Sequence, residues 1–270
     1  MQMTELFSKE IQTQNRRSSK GNQLKLERNH VWYKADYLGY EGLAEYAVSK
    51  LLRHSSLQNS EYVDCELEQI TYNGRVFNAC KSKDFTDGWQ LITLERLLTQ
   101  VFGRGLNQVV YAIEDHLERL KRLTELVEQA TGIRYFGIYM AKLITIDAFF
   151  LNEDRHAHNL AVLTKDLKEF RLCPIFDNGA ALLSDTMLDY PEGRDPLQMK
   201  HQAKPKTFCD SFDEQMDIAE ALYGMQVRFR FGYNEVKAIL NQADIYTTET
   251  RKRVLDLVMS QRSKYQYLFI

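Results

Sequence analysis

At 270 residues the chain is long enough to bury a large core, and a net charge of −2 leaves no bulk basic field to attract nucleic acid or an anionic membrane. Its 44% hydrophobic and 27% charged residues are ordinary for a globular protein, and no Pro/Gly/Ser-rich linker or internal repeat divides it. The four cysteines, Cys65, Cys80, Cys173 and Cys209, form no CxxC pair, which argues against a zinc ribbon or a secreted disulfide framework and for reduced thiols. The first residues, "MQMTELFSKEIQTQNRR", have no apolar signal core, and windows such as "LITIDAFFL" fall short of the roughly 20 residues that a membrane helix needs. A soluble, cytoplasmic protein is expected, with no partner in nucleic acid or membrane.

In chain order, "SSKGNQLKLER" at residues 18–28 places backbone N–H groups around Gly21, where a missing side chain permits close approach to an anion. "VWYKADY" at 31–37 alternates as a half-buried strand, and "EGLAEYAVSKLLRH" repeats apolar residues at helical spacing. "EYVDCELEQI" and "RVFNACKSK" are two β-rich runs joined by "TYNG", whose Asn73-Gly74 is a hairpin turn signal. From about Leu91 the pattern turns helical. "NQVVYAIEDHLERLKRLTELVEQATG" reads as one helix ended by Gly132, and "YFGIYMAKLITIDAFFL" as a second, largely buried one. "NLAVLTKD" and "KEFRLCPIFD" suggest a second hairpin, and the tail from Phe212 to Ile270 is mostly helical.

Chemistry concentrates in "FLNEDRHAHNLAVL", residues 150–163. If Leu160 to Thr164 pairs with Phe170 to Phe176, Asn159 and Asp177 meet at one end of the hairpin. An amide oxygen and a carboxylate are hard ligands, suited to Mg²⁺. Asp154 lies five residues before Asn159, the separation at which a kinase catalytic loop places its base and its metal-binding Asn. Phosphoryl transfer also needs upstream charge. Lys34 in its predicted strand supplies a cation, and Glu41 or Glu45, one turn apart on the next helix, could hold it toward the phosphates.

At these positions the sequence resembles the HipA-like serine/threonine protein kinases. "GNQLK" is similar to their phosphate loop, "WYK" to their ATP-lysine strand, "EDRHAHN" to their catalytic loop and "PIFDNG" to their metal-binding segment, in the same order, over about Ser18 to Asp185. The resemblance implies an α+β, two-lobed protein-kinase-like fold, with a β-rich N-lobe over residues 1–85 and a helical C-lobe over 86–270. It implies Asp154 as catalytic base and Asn159 and Asp177 as Mg²⁺ ligands. ATP would meet Lys20, Gly21, Asn22, Gln23 and Lys25 in the phosphate loop, Lys34 with its partner Glu45, and His156 and His158 beside the phosphates. The adenine hinge falls by position near Ala79, Cys80 and Lys81. Ser18, three residues before the glycine, occupies the place of a serine that some members autophosphorylate.

A protein substrate and an antitoxin or regulator partner are what the resemblance implies. Only about seventeen residues precede the loop, so the extra N-terminal segment of the larger members is expected to be missing, and the DNA or antitoxin contacts made through it are not carried over. Three rival readings stand beside this one. His156 and His158 as an HxH pair, with Asp177, would suit a metal-dependent hydrolase, although His30, His54, His116 and His201 sit in no recognisable ligand pattern. A nucleotide-binding module without catalysis is disfavoured by the intact set Lys34, Asp154, Asn159 and Asp177. A small-molecule or lipid kinase shares the same metal and base logic.

Overall fold

The structure, a computed structural model, describes residues 4–6, 23–156 and 159–270. Five strands form the first sheet: β1 (Thr4–Leu6), β2 (Lys25–Arg28), β3 (Val31–Ala35), β4 (Glu66–Tyr72) and β5 (Arg75–Lys83), in the order β1-β4-β5-β3-β2. Only β1 with β4 is parallel. The β4–β5 turn is the one signalled by Asn73-Gly74, both at positive φ (50° and 72°), the geometry whose twist matches the flanking strands. On β3, Lys34 and Trp32 point to the face opposite Tyr33 and Ala35, because side chains alternate along a strand.

Helix α1 (Glu41–Leu52) is buried along almost its whole length. Its Leu43, Ala47 and Leu51 share one core with Phe149, Phe150, Val254 and Leu257 of the helical region, whereas the sheet packs a separate small core of Leu6, Leu26, Tyr33, Ala35, Ile70 and Ala79. The helical lobe therefore fixes the position of α1, and with it the position of Glu45. Residues 84–89 link β5 to the next strand.

The second sheet has three strands rather than two. β6 (Gln90–Thr93) pairs with β7 (Ala161–Lys165), which pairs with β8 (Glu169–Leu172). The expectation of helix from Leu91 misses β6 because a run of four residues is too short for its period to declare itself. Thr93 ends the strand and caps α2 (Leu94–Phe102), its side chain accepting from the Arg96 N–H at 3.3 Å.

The single helix expected from Asn107 is also corrected. α3 (Leu106–Val109) stops, and α4 (His116–Thr131) restarts at Asp115, whose carboxylate caps the Glu118 N–H at 2.8 Å. Arg119 holds the break open by donating to the Ile113 carbonyl. Gly132 ends α4 in the left-handed conformation, as its sequence position signals. α5 (Phe136–Phe150) is buried almost all round. A short α6 (Pro196–Met199), then α7 (Phe212–Tyr223), α8 (Tyr233–Asn241) and α9 (Thr248–Lys264) complete the lobe.

The second hairpin is shorter than its apolar run. The ladder ends at Leu172, and the chain beyond leaves β8 to bond the segment before β4: Ile175 N–H to Glu61 O at 2.8 Å and Val63 N–H to Ile175 O at 2.9 Å. The start of "EYVDCELEQI" is consequently no strand of the first sheet; its partner is the segment that carries Asp177. Among the described residues, no helix is long and apolar enough to cross a membrane.

Candidate active site

The centre of the site is Lys34. Its ammonium lies 2.5 Å from Glu45 Oε1 and 2.7 Å from Asp177 Oδ1, while Lys25, opposite Lys34 on β2, approaches the same Asp177 oxygen at 3.8 Å. The second oxygen of Glu45 accepts the Asn178 N–H at 3.0 Å. One carboxylate on α1 thus ties the lysine strand to the segment "FDN". Burial opposes the charge on Lys34, but Asp177 and Glu45 outweigh it, and the ammonium is held well above its usual range. Burial likewise opposes the Asp177 carboxylate, and Lys25 with Lys34 hold it far below the usual carboxylate range. Asp177 itself sits at φ 63°, a conformation rare for a residue with a side chain, which aims its carboxylate back at the sheet.

Glu41, the other candidate partner for Lys34, does something else. Its carboxylate accepts the N–H groups of Tyr37, Leu38 and Gly39, closing the turn into α1. Just before that turn, Asp36 accepts from the Gly42 N–H at 2.6 Å and the Tyr246 hydroxyl at 2.8 Å. Burial dominates there and pushes the Asp36 carboxyl up to about 7. A carboxyl whose folded pKa is raised stabilises the fold fully below the unfolded value of about 3.9, and loses that contribution as pH rises toward about 7. Asp36→Asn is therefore expected to flatten the decline in stability between those pH values. A series of melts across that window reads the slope, and an unchanged slope would contradict the assignment.

The catalytic-loop segment is held from below by a buried ion pair. Arg155, 1% exposed, donates to both oxygens of Asp147 near the end of α5, at 2.9 and 3.0 Å, to Asn178 Oδ1 at 2.9 Å, and to the Phe176 carbonyl. Burial opposes the guanidinium charge and Asp147 more than offsets it. Asn152 adds a bond to Asp147 at 2.9 Å and reaches the Asp177 carbonyl at 3.4 Å. Residues 152–155 and 176–178 are therefore one unit.

On this unit Asp154 lines a cleft with Gln23, Lys25, Glu41 and Asp177. Asn159 donates its amide N–H to the Asp154 carbonyl at 2.8 Å, which leaves its side-chain oxygen as the atom a hard cation would use. The His156 ring lies 3.8 Å from Asp154 Oδ1. Among the described residues, no group of metal-ligating side chains joins His156 to Asp177.

Ala79, Cys80 and Lys81 do not form a hinge. They sit in the middle of β5, laddered to Ala35, Lys34 and Tyr33 on one side and to Glu68, Leu67 and Glu66 on the other, so their backbone groups are committed to the sheet. An adenine needs backbone donors and acceptors at a free edge. Residues 84–89, after β5, meet that description better. Ser18, Lys20, Gly21, Asn22 and His158 lie outside the described residues.

No protein-family model and no curated protein matches the chain. Solved structures do match. The Helicobacter pylori proinflammatory kinase CtkA superposes with a TM-score of 0.65 over 99% of this chain and 97% of its own, at 16% identity. HipA of Shewanella oneidensis, solved with HipB and operator DNA, gives 0.54 over 95% of this chain and 66% of its own, at 10% identity. The chain has a HipA-like kinase fold.

Within that kinase fold, two features escaped the sequence. Lys206 places its ammonium 3.6 Å from Asp154 Oδ1, from a segment fifty residues downstream that also bonds Glu153 through the Lys204 N–H at 3.1 Å and Arg155 O through the Thr207 hydroxyl at 2.7 Å. "KPKT" carries no motif that announces this. Arg155 was visible inside "EDRHAHN", and its neighbour Asp147 inside a buried helix was a signal, since a carboxylate there needs a partner.

Proposed function

We propose that the chain is an ATP- and Mg²⁺-dependent kinase that transfers the γ-phosphate to a Ser or Thr hydroxyl of a protein. The observation that carries this reading is Asp177, tied through Lys34 to Glu45 and lining one cleft with Lys25 and Asp154. Such transfer asks the protein for positioning and charge compensation more than for covalent chemistry.

The donor set fits a magnesium–nucleotide complex. Asp177 and the Asn159 amide oxygen are hard ligands, and the two ammonium groups beside Asp177 offer counter-charge to phosphate oxygens. Mg²⁺, when bound there, would neutralise the phosphate oxygens. Lys34, fixed by Glu45, binds the phosphates nearer the ribose, and Lys25 with Gln23 faces the outer ones. Asp154 accepts the proton of the acceptor hydroxyl. Lys206, 3.6 Å away, sets a positive charge beside that carboxylate.

Asp177→Asn is expected to remove the Mg²⁺-dependent part of ATP affinity, roughly ten- to hundredfold for a charge-assisted contact. Calorimetric titration with and without Mg²⁺ reads it, and equal affinities for variant and wild type would remove Asp177 from the metal site. Ser18 is proposed as the position of autophosphorylation, with phosphate expected on its peptide after incubation with ATP. A clean Ser18 peptide in a reaction that phosphorylates another protein would refute it. By likeness to HipA, whose solved complex contains HipB, an antitoxin-type protein partner belongs to the same proposal. The four free cysteines agree with a reducing cytosol.

A further inference from the structure

We propose that His116, Cys209 and Glu214 form a binding site for a thiophilic divalent cation, with zinc favoured by the donor set. The three come from separate places: the first residue of α4, the loop before α7, and the first turn of α7. His116 Nδ1 lies 2.6 Å from Glu214 Oε1, and one ligand atom from each residue falls within 4.8 Å of the other two. The Cys209 thiol donates to the Ser211 carbonyl at 3.3 Å.

An imidazole, a thiol and a carboxylate converging on one point are what a zinc centre uses. With bonds of about 2.0–2.3 Å, tetrahedral ligand atoms stand about 3.3–3.7 Å apart, so closing this triangle needs shifts of about 1 Å. The charges also match. A neutral imidazole, one thiolate and one carboxylate bring a divalent cation to zero net charge. On binding, the Cys209 S–H bond breaks, its proton passes to buffer, and sulfur donates its electron pair to the metal. The His116–Glu214 hydrogen bond gives way, and the imidazole proton moves to Nε2, freeing the Nδ1 electron pair for the metal. The fourth position falls to water.

The frame around the cluster is already braced. Arg119 donates to the Phe208 carbonyl, the Phe208 N–H reaches Gln215 Oε1 at 2.7 Å, and the Ser211 hydroxyl caps the Glu214 N–H at 3.3 Å. The other three cysteines are buried, so a thiolate–metal signal has one source.

The test is a Co²⁺ titration of the purified, metal-free, reduced full chain. One equivalent is expected to give a thiolate-to-cobalt charge-transfer band with the visible bands of a tetrahedral ion, and Zn²⁺ should displace them. Cys209→Ser is expected to abolish the charge-transfer band while the circular dichroism spectrum is retained. His116→Ala and Glu214→Gln should each weaken binding by at least the roughly 10–100-fold that losing an outer-sphere partner costs. Zn²⁺ should also protect Cys209 from alkylation, read by mass spectrometry. No charge-transfer band, a band that survives Cys209→Ser, or full affinity in His116→Ala would overturn the site.

Discussion

Asp154→Asn is expected to lower phosphoryl transfer by about 10²–10⁴-fold, the range over which a positioned general base acts, while ATP affinity changes by no more than about threefold. The substitution keeps the shape of the loop, because its backbone is held independently of the carboxylate: Asn159 bonds the Asp154 carbonyl, and Arg155 clamps the next residue to Asp147. What disappears is the acceptor for the substrate proton and the counter-charge of Lys206. In the proposed reading, nucleotide charge is met elsewhere, by Lys25 and Lys34 and by Mg²⁺ held at Asp177. Single-turnover transfer and calorimetric ATP binding, measured on the same preparation, separate the two effects. Near-normal transfer would dismiss Asp154 as the base.

Arg155→Met is expected to destabilise the fold by about 3–5 kcal/mol, because it leaves Asp147 buried without its counter-charge. For a chain of this size, roughly 2–4 °C per kcal/mol gives a fall in melting temperature of about 6–20 °C. The loss should depend on pH in a definite sense. Freed of Arg155, the Asp147 carboxyl is pushed up by burial, and a raised carboxyl contributes stability below its unfolded pKa that is lost as pH rises through the folded one. The variant is therefore expected to be less impaired at pH 5 than at pH 8. Adding Asp147→Leu removes the orphaned charge and should recover part of the loss. A single variant with wild-type stability, or a double variant worse than the single, would contradict this account of the pair.

Much of the site was legible because its chemistry is local in sequence. Asp154 and Asn159 lie in one loop, Lys34 declares itself on an alternating strand, and Asp177 follows an apolar run. Spacing alone did not separate Glu45, the expected partner, from Glu41, since both share one helix face; the turn at residues 37–39 consumes Glu41 and leaves Glu45 to Lys34. Position alone misplaced the hinge, because only the sheet order reveals that β5 has neighbours on both sides. β6 hid in a four-residue run, and the break before α4 hid behind apolar residues that continued at near-helical spacing. Lys206, and the meeting of His116 with Cys209 and Glu214, depend on tertiary approach across long stretches of chain and leave no periodic trace.

The most direct measurement of the central claim is phosphoamino-acid analysis after the purified protein is incubated with γ-labelled ATP, Mg²⁺ and a lysate of the host cell. The account predicts label in phosphoserine or phosphothreonine that requires Mg²⁺ and vanishes with Asp154→Asn. Label that persists undiminished in that variant, or that appears only in small molecules, would contradict it.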